Sequence, residues 1–369
     1  MPTTLTAPEL VTLVRRVFQP GPEDLGLAIL VDLPDEHLPD NPGWAARREM
    51  AADWARKLAG ARGELGLQQV SLVRYPNVRR NNADLPPAAT IEGSAGEVPF
   101  DRIFSTHTIL IAPTELSPTA PLKLNAKKYG FRAATMPGFS AAMIPALRLD
   151  YMDINSKCRA LKDLLDEAEA ARLLFEADGR VRELEIDLRH RTSTASGGLF
   201  PEPGVAGNLP SGETYIVPYE GERDGDPSRT AGEMPLQLGG EILVYRLERN
   251  RVVDVLGDGP VAESERREIR DEPAYANLAE LGLGVLSGYG IQPIGELLLD
   301  EKLGLHLAFG RSDHFGGQVG AKDFSSPAKV VHIDRVYIRE VQPAIGVLSV
   351  DLVLGGGAIR PLMRNGQYV

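Results

Sequence analysis

The segment KVVHIDRVY, residues 329 to 337, sets an imidazole and a carboxylate two positions apart in a run of valine and isoleucine. β-Branched residues at this density predict a strand, so His332 and Asp334 share one face and Ile333 takes the other. A second histidine, His306, alternates with Leu305 and Leu307 in LGLHLAFG. That pattern predicts burial, and a buried imidazole is costly without a partner such as a metal. Glu213 closes the turn-forming run NLPSGE, which predicts a carboxylate projected from a loop. Glu280 stands among leucines and glycines in ANLAELGLG with no cationic residue beside it. Taken singly, each has a plain reading as a polar strand face, a helix end or a surface glutamate. Together they form a set of oxygen and nitrogen donors suited to divalent zinc, manganese, cobalt or iron rather than copper(I) or an iron–sulfur cluster. The single cysteine, Cys158, excludes an internal disulfide and a thiolate cluster.

The elements that must position these residues fall into two stretches. In the first, TAPELVTLVRRVF predicts a helix with Thr6 as N-cap and Pro8 in its first turn. GLAILVD, QQVSLVRY, FDRIFSTHTILIAP and FRAATMPG predict strands, alternating with helices over GWAARREMAADWARKLAGARGELG, PTAPLKLNAKKYG and SAAMIPALRLD. Strand–helix alternation points to a parallel α/β lobe, residues 1–150. INSKCRALKDLLDEAEAARLLFEAD, residues 154 to 178, predicts the longest helix, linking the lobes. Beyond it come short strands, many glycines and a hairpin at GEILVYRLERNRVVDVLGDGP, so residues 151–369 predict an α+β lobe with substantial antiparallel sheet. GGLFPEPGVAGNLPSGE predicts a loop. The expected metal site lies in the C-terminal lobe, facing the cleft.

At 369 residues the chain suits two domains. Its 43% apolar and 25% charged residues are those of a globular protein, and no apolar run reaches the roughly 18 to 20 residues of a membrane span. The start, MPTTLTAPEL, lacks the pattern of a secretory signal, so cytoplasmic residence is expected. A formal charge of −11, from 51 acidic against 40 basic residues, repels phosphate backbones and argues against nucleic acid as a partner.

NLPSGETYIVP, LAELGLG, DEKLGLHLAFG and VVHID, in this order, resemble the motifs of the aminopeptidase T (thermophilic-type leucyl aminopeptidase) family of metallopeptidases. The resemblance covers roughly residues 150 to 350. It implies that Glu213, Glu280, His306, His332 and Asp334 hold two divalent ions, zinc, cobalt or manganese, with Glu213 and Glu280 also serving catalysis. If one carboxylate bridges, five side chains supply six contacts, three per metal, and leave room for water. The implied activity is removal of N-terminal residues from small peptides by a metal-activated water. A homodimer with an enclosed chamber is also implied. The chain departs from the family where an asparagine usually follows the LAELGLG motif. It also carries Asp313 and His314 where a tyrosine is expected beyond the first histidine; Asp313 as an extra ligand and His314 as a substitute donor are the alternatives there. His37, His107 and His190 fall outside the motifs and read as structural or surface groups.

Two other functions fit the same residues. His306, His332 and Asp334 suffice for the facial triad of a mononuclear iron dioxygenase of the dihydroxypyridine-cleaving type, with Glu213 and Glu280 as substrate contacts or bases. A catalytically inactive binding protein of the same fold is the third reading, opposed by the liability of unused buried carboxylates.

Overall fold

The computed structural model describes residues 4 to 369, and the chain divides into two units. One comprises Met1–Ser156 and Ser196–Gly212; the other comprises Lys157–Ala195 and Glu213–Val369. The fold is mixed α/β with large antiparallel sheets. Among the described residues no helix is long and apolar enough to cross a membrane.

In the first unit, helix α1 (Ala7–Phe18) begins as its sequence dictates. The Thr6 hydroxyl accepts from the Glu9 N–H and the Glu9 carboxylate accepts from the Thr6 N–H, a reciprocal cap that satisfies two otherwise orphaned donors. Strands β1 (Gly26–Leu33), β2 (Gln69–Pro76), β5 (Ile109–Ala112), β6 (Arg132–Thr135) and β10 (Ala206–Asn208) are parallel, and β3 (Ala88–Ile91) and β4 (Glu97–Pro99) add an antiparallel edge. The order is β10-β6-β5-β1-β2-β3-β4. Central β1 is buried almost throughout, as a strand covered on both faces must be. Helices α2 (Pro42–Gly60) and α4 (Thr119–Tyr129) supply connections, and Gly130 ends α4 in the left-handed conformation that glycine accepts without strain.

Two expectations require correction here. FDRIFSTHTILIAP is not strand throughout: helix α3 (Phe100–Thr106) precedes β5, because Phe100, Ile103 and Phe104 recur at helical spacing and bury one face. The presumed loop over residues 197–213 contains β10, which pairs with β6.

Between them in the chain, helix α5 (Ile144–Leu147) is short, and α6 (Tyr151–Asp166) stops well before the helix expected over residues 154–178. The remainder becomes β7 (Ala168–Ala177). Its buried Ala171, Leu173, Phe175 and Ala177 repeat every second residue, the period of a strand rather than a helix. Strand β7 lies between β8 (Arg180–Asp187) and β18 (Ile345–Leu354) in an eight-stranded antiparallel sheet. The sheet is completed by β12 (Ala231–Leu238), β13 (Glu241–Glu248), β14 (Arg251–Leu256), β19 (Ile359–Arg364) and β20 (Gln367–Tyr368). The expected hairpin is β13–β14, whose two-residue turn holds Arg249 and Asn250 at φ 49° and 67°.

A five-stranded sheet carries the donors. Its order is β17 (His332–Val336), β16 (Leu305–Gly310), β15 (Leu278–Gly284), β11 (Glu213–Ile216) and β9 (Thr194–Ser196). Helices α7 (Pro260–Asp271) and α8 (Leu297–Asp300) belong to the same unit.

Candidate metal centre

Antiparallel register gathers the five residues. Glu213 lies opposite Gly284, His306 opposite Gly282, Glu280 opposite Ala308, and Ala308 in turn opposite Asp334; His332 faces Gly310. Residues directly opposite project from the same face, so all five side chains share one side of the sheet. Their immediate partners on that face are Gly284, Gly282, Ala308 and Gly310, which leave the space that long donors occupy. Gly282 is indispensable: a Cβ there would stand 1.9 Å from His306 Nε2. Glu213 opens β11 rather than projecting from a loop, a correction to the expectation from NLPSGE.

The donors fall into two groups whose ligand atoms lie within 4.8 Å of one another, Glu213–Glu280–His306 and Glu280–His332–Asp334. Glu280 belongs to both. Its Oε1 is 3.3 Å from His306 Nε2 and its Oε2 is 3.2 Å from His332 Nε2. Glu213 Oε2 approaches His306 Nε2 at 3.5 Å, and Asp334 Oδ1 lies 3.7 Å from His332 Nε2. Glu213, Glu280 and His306 are buried, while His332 and Asp334 are partly so.

Backbone carbonyls orient both imidazoles. His332 Nδ1 donates to Arg311 O at 2.8 Å and His306 Nδ1 to Gly304 O at 3.4 Å. A carbonyl only accepts, so each Nδ1 carries a hydrogen and Nε2 is turned toward the carboxylates. The loop that carries Arg311 is anchored by Glu220, which accepts from Ser312 Oγ at 2.6 Å and from the Gln318 N–H.

The electrostatics are those of acids and bases crowded out of water. Burial pushes Glu280 upward, but hydrogen bonds from His306 and His332 prevail and hold its carboxyl below the usual range. Burial pushes both histidines downward; the Glu280 hydrogen bond and the neighbouring carboxylate charges overcome it and raise each to about 9. Asp334 is raised, chiefly by burial. The two imidazoles and Asp334 are thereby favoured in their protonated forms, while Glu280 stays ionised. The donor chemistry fits divalent cations, which replace those protons on imidazole and carboxylate. Glu213 Oε2 gives the independent sign: it is buried and has no hydrogen-bond partner, an arrangement that calls for a cation.

Lys302 was not among the residues singled out in the sequence. It is 1% exposed and its Nζ donates to Glu213 Oε1 at 2.6 Å and to Glu301 Oε1. In LLLDEKLGL a lysine directly after two acids reads as a solvated turn, and only the pairing of distant strands reveals its burial. Tyr215, also missed, faces Gly282 on β11; burial first, then the Glu280 and Glu213 charges, push its phenol upward. Its ring meets Phe315, and Phe315 and His314 both pack edge-on to His332, making an aromatic wall beside that imidazole. Asp313 joins neither group: its carboxylate binds Arg311 Nε at 2.5 Å. His314 is pushed down to about 4, mainly by burial and then by the His332 charge. The other histidines are structural or surface groups: His107 is buried on Ser71 and Ile103, His190 pairs with Asp226, and the His37 side chain is half exposed.

No protein-family model matches the chain. Aminopeptidase AmpS of Bacillus subtilis is 28% identical over 221 residues, 56% of this chain and 51% of that protein. The chain thus spans about half the length of the curated relative it matches. Among solved structures, 2,5-dihydroxypyridine dioxygenase from Pseudomonas putida superposes with a TM-score of 0.62 at 15% identity, covering 99% of this chain and 98% of its own. Wild-type AmpT from Thermus thermophilus superposes with a TM-score of 0.57 at 18% identity, covering 98% and 99% respectively. Both structures share the fold.

Proposed function

We propose, from the chain's likeness to AmpS in sequence and to AmpT in fold, that it is a metallopeptidase of the aminopeptidase T type, a metal-dependent aminopeptidase acting on small peptides through two divalent ions. Glu213, Glu280 and His306 would hold one ion, and Glu280, His332 and Asp334 the other. The observation that carries this reading is the double membership of Glu280, one carboxylate oxygen toward each histidine. The two ions, zinc, cobalt or manganese, would polarise the scissile carbonyl and lower the pKa of water from about 15.7 to roughly 7.

The chain's own residues supply the rest. Three carboxylates set the charge of the donor cluster, so that a pair of divalent ions keeps a net positive field for a developing oxyanion. Gly304 O and Arg311 O fix the imidazole tautomers. Burial of Glu213, Glu280 and His306 keeps competing water from one side of the cluster. Tyr215 and Phe315 offer an apolar surface to a substrate side chain.

The mononuclear dioxygenase shares the fold, but the geometry supports it less. A facial triad needs His306, His332 and Asp334 around one ion, whereas the two histidines fall in different groups, each on its own Glu280 oxygen. The test is elemental analysis of protein purified without chelator, joined to activity assays. Two zinc, cobalt or manganese ions per chain with amino acid released from dipeptides or aminoacyl anilides supports the peptidase. One iron with oxygen uptake on 2,5-dihydroxypyridine refutes it in favour of the dioxygenase. Absence of both activities in metal-replete protein leaves the binding protein.

A further inference from the structure

Burying an ammonium is expensive, and apolar side chains of similar volume often serve stability as well or better. Lys302 is nonetheless sealed in the second unit with its Nζ on Glu213 Oε1 at 2.6 Å and on Glu301. Strand register brings it there. Glu213 lies opposite Gly284, and a Cβ on Gly284 would meet the Lys302 carbonyl carbon at 2.2 Å and the Glu301 carbonyl oxygen at 2.6 Å, so the 301–302 backbone passes against this glycine. The two oxygens of Glu213 consequently have different fates. Oε1 is taken by the lysine, while Oε2 has no hydrogen-bond partner and points toward His306 Nε2. The other half of the cluster has no such cation: Asp334 and His332 have no lysine or arginine bridge among the described residues.

We propose that Lys302 is a positioning residue that holds Glu213 as a one-oxygen donor and thereby completes the Glu213–Glu280–His306 half of the centre, leaving the Glu280–His332–Asp334 half independent of it. This rests on the two-ion reading and adds an asymmetry to it. Lysine acts here as a fixed clamp: it occupies one carboxylate oxygen, neutralises part of the charge that Glu213 and Glu301 would otherwise set against each other, and stops Glu213 from turning away or chelating through both oxygens.

The test is a cobalt(II) titration of metal-free full-length protein, read by bound-ion count and by the visible absorption of cobalt. Wild type takes up two ions. In Lys302→Met one half weakens about 10- to 100-fold, the effect usual for a group that orients a metal ligand, while the other half keeps its affinity and spectrum. Glu301→Gln preserves the Lys302–Glu213 contact and still binds two. Should Lys302→Met fail to fold, the pair Glu213→Gln and Glu213→Gln/Lys302→Met replaces it: a clamp that works only through Glu213 adds nothing once that carboxylate is gone, so both bind one ion equally. Two ions at wild-type affinity in Lys302→Met, equal weakening of both halves, or further loss in the double variant overturns the inference. A single ion in wild type sinks the two-ion reading itself and is seen before any variant is made.

Discussion

Alanine at Gly282 tests the site through one methyl group. Gly282 lies in extended backbone on β15, and its φ is not in the left-handed region, so the main chain accepts alanine. The new Cβ would stand 1.9 Å from His306 Nε2, 2.2 Å from Cε1 and 2.5 Å from Cδ2. Ordinary contact begins at 3.4 Å, so the ring must retreat about 1.5 Å. The imidazole is 1% exposed and lies over Gly304 O, which leaves it no open direction on the same rotamer. Metal–ligand distances tolerate about 0.2 Å, so a displacement of that size removes His306 as a donor. Overpacking costs about 1–3 kcal/mol against a usual stability of about 5–15 kcal/mol, and the variant stays folded. The expected result is a folded Gly282→Ala protein with one ion in place of two and peptidase activity at least about 100-fold lower. Elemental analysis, circular dichroism and an aminoacyl anilide assay measure these. The control is His306→Ala, in which adding Gly282→Ala should change metal content no further. Two ions and wild-type turnover in Gly282→Ala would refute the placement of His306 in the centre.

Glu280→Gln should lose both ions, where Glu213→Gln and Asp334→Asn each lose one, because only Glu280 serves both groups; equal losses in the three would contradict a shared carboxylate. Asp313→Asn should keep full metal content, since its carboxylate is spent on Arg311; a lost ion would make it a ligand after all. In chelator-treated protein, His306 and His332 are raised to about 9 from an ordinary 6.5 and Glu301 to about 8 from 4.5, so the folded state binds more protons than the unfolded one between these values. The stability that these groups contribute is therefore fully present in acid and is lost as pH rises through 8 to 9. Melting of the metal-free protein should occur at lower temperature at pH 9 than at pH 6.5, and added metal should restore more at pH 9, where fewer protons compete; a metal-free melting point that climbs with pH would be inconsistent with protonated histidines.

The parts of the fold legible in sequence were those set by local periodicity and caps. Thr6, Pro8 and Glu9 specify the start of α1, Gly130 the end of α4, and the apolar run Leu27–Val31 the central strand. Residues 154–178 misled because leucine and alanine suit helices, yet Ala168–Ala177 is claimed by pairing with β8 and β18, a long-range constraint that outweighs propensity. The donors could be picked out because each is a polar group in apolar surroundings, where an unmatched side chain is a liability. Lys302 escaped notice for the opposite reason: its neighbours in sequence, Asp300 and Glu301, make it look solvated, while the partner that matters, Glu213, is 89 positions away.

The dioxygenase and AmpT share this fold at 15% and 18% identity, so the fold alone does not fix the chemistry, which follows from the residues a chain places on it. On this chain the strand order fixes the outcome. Glu280 sits on β15, between β16 with His306 and β11 with Glu213, while His332 and Asp334 arrive from the far side of β16 on β17. A carboxylate reaching across the glycine-cleared face therefore meets one histidine with each oxygen, and the donors divide into two triads of equal size. On the two-ion reading, Glu280 and Glu213 are the carboxylates that divide the five donors between two ions, an arrangement suited to metal-assisted hydrolysis.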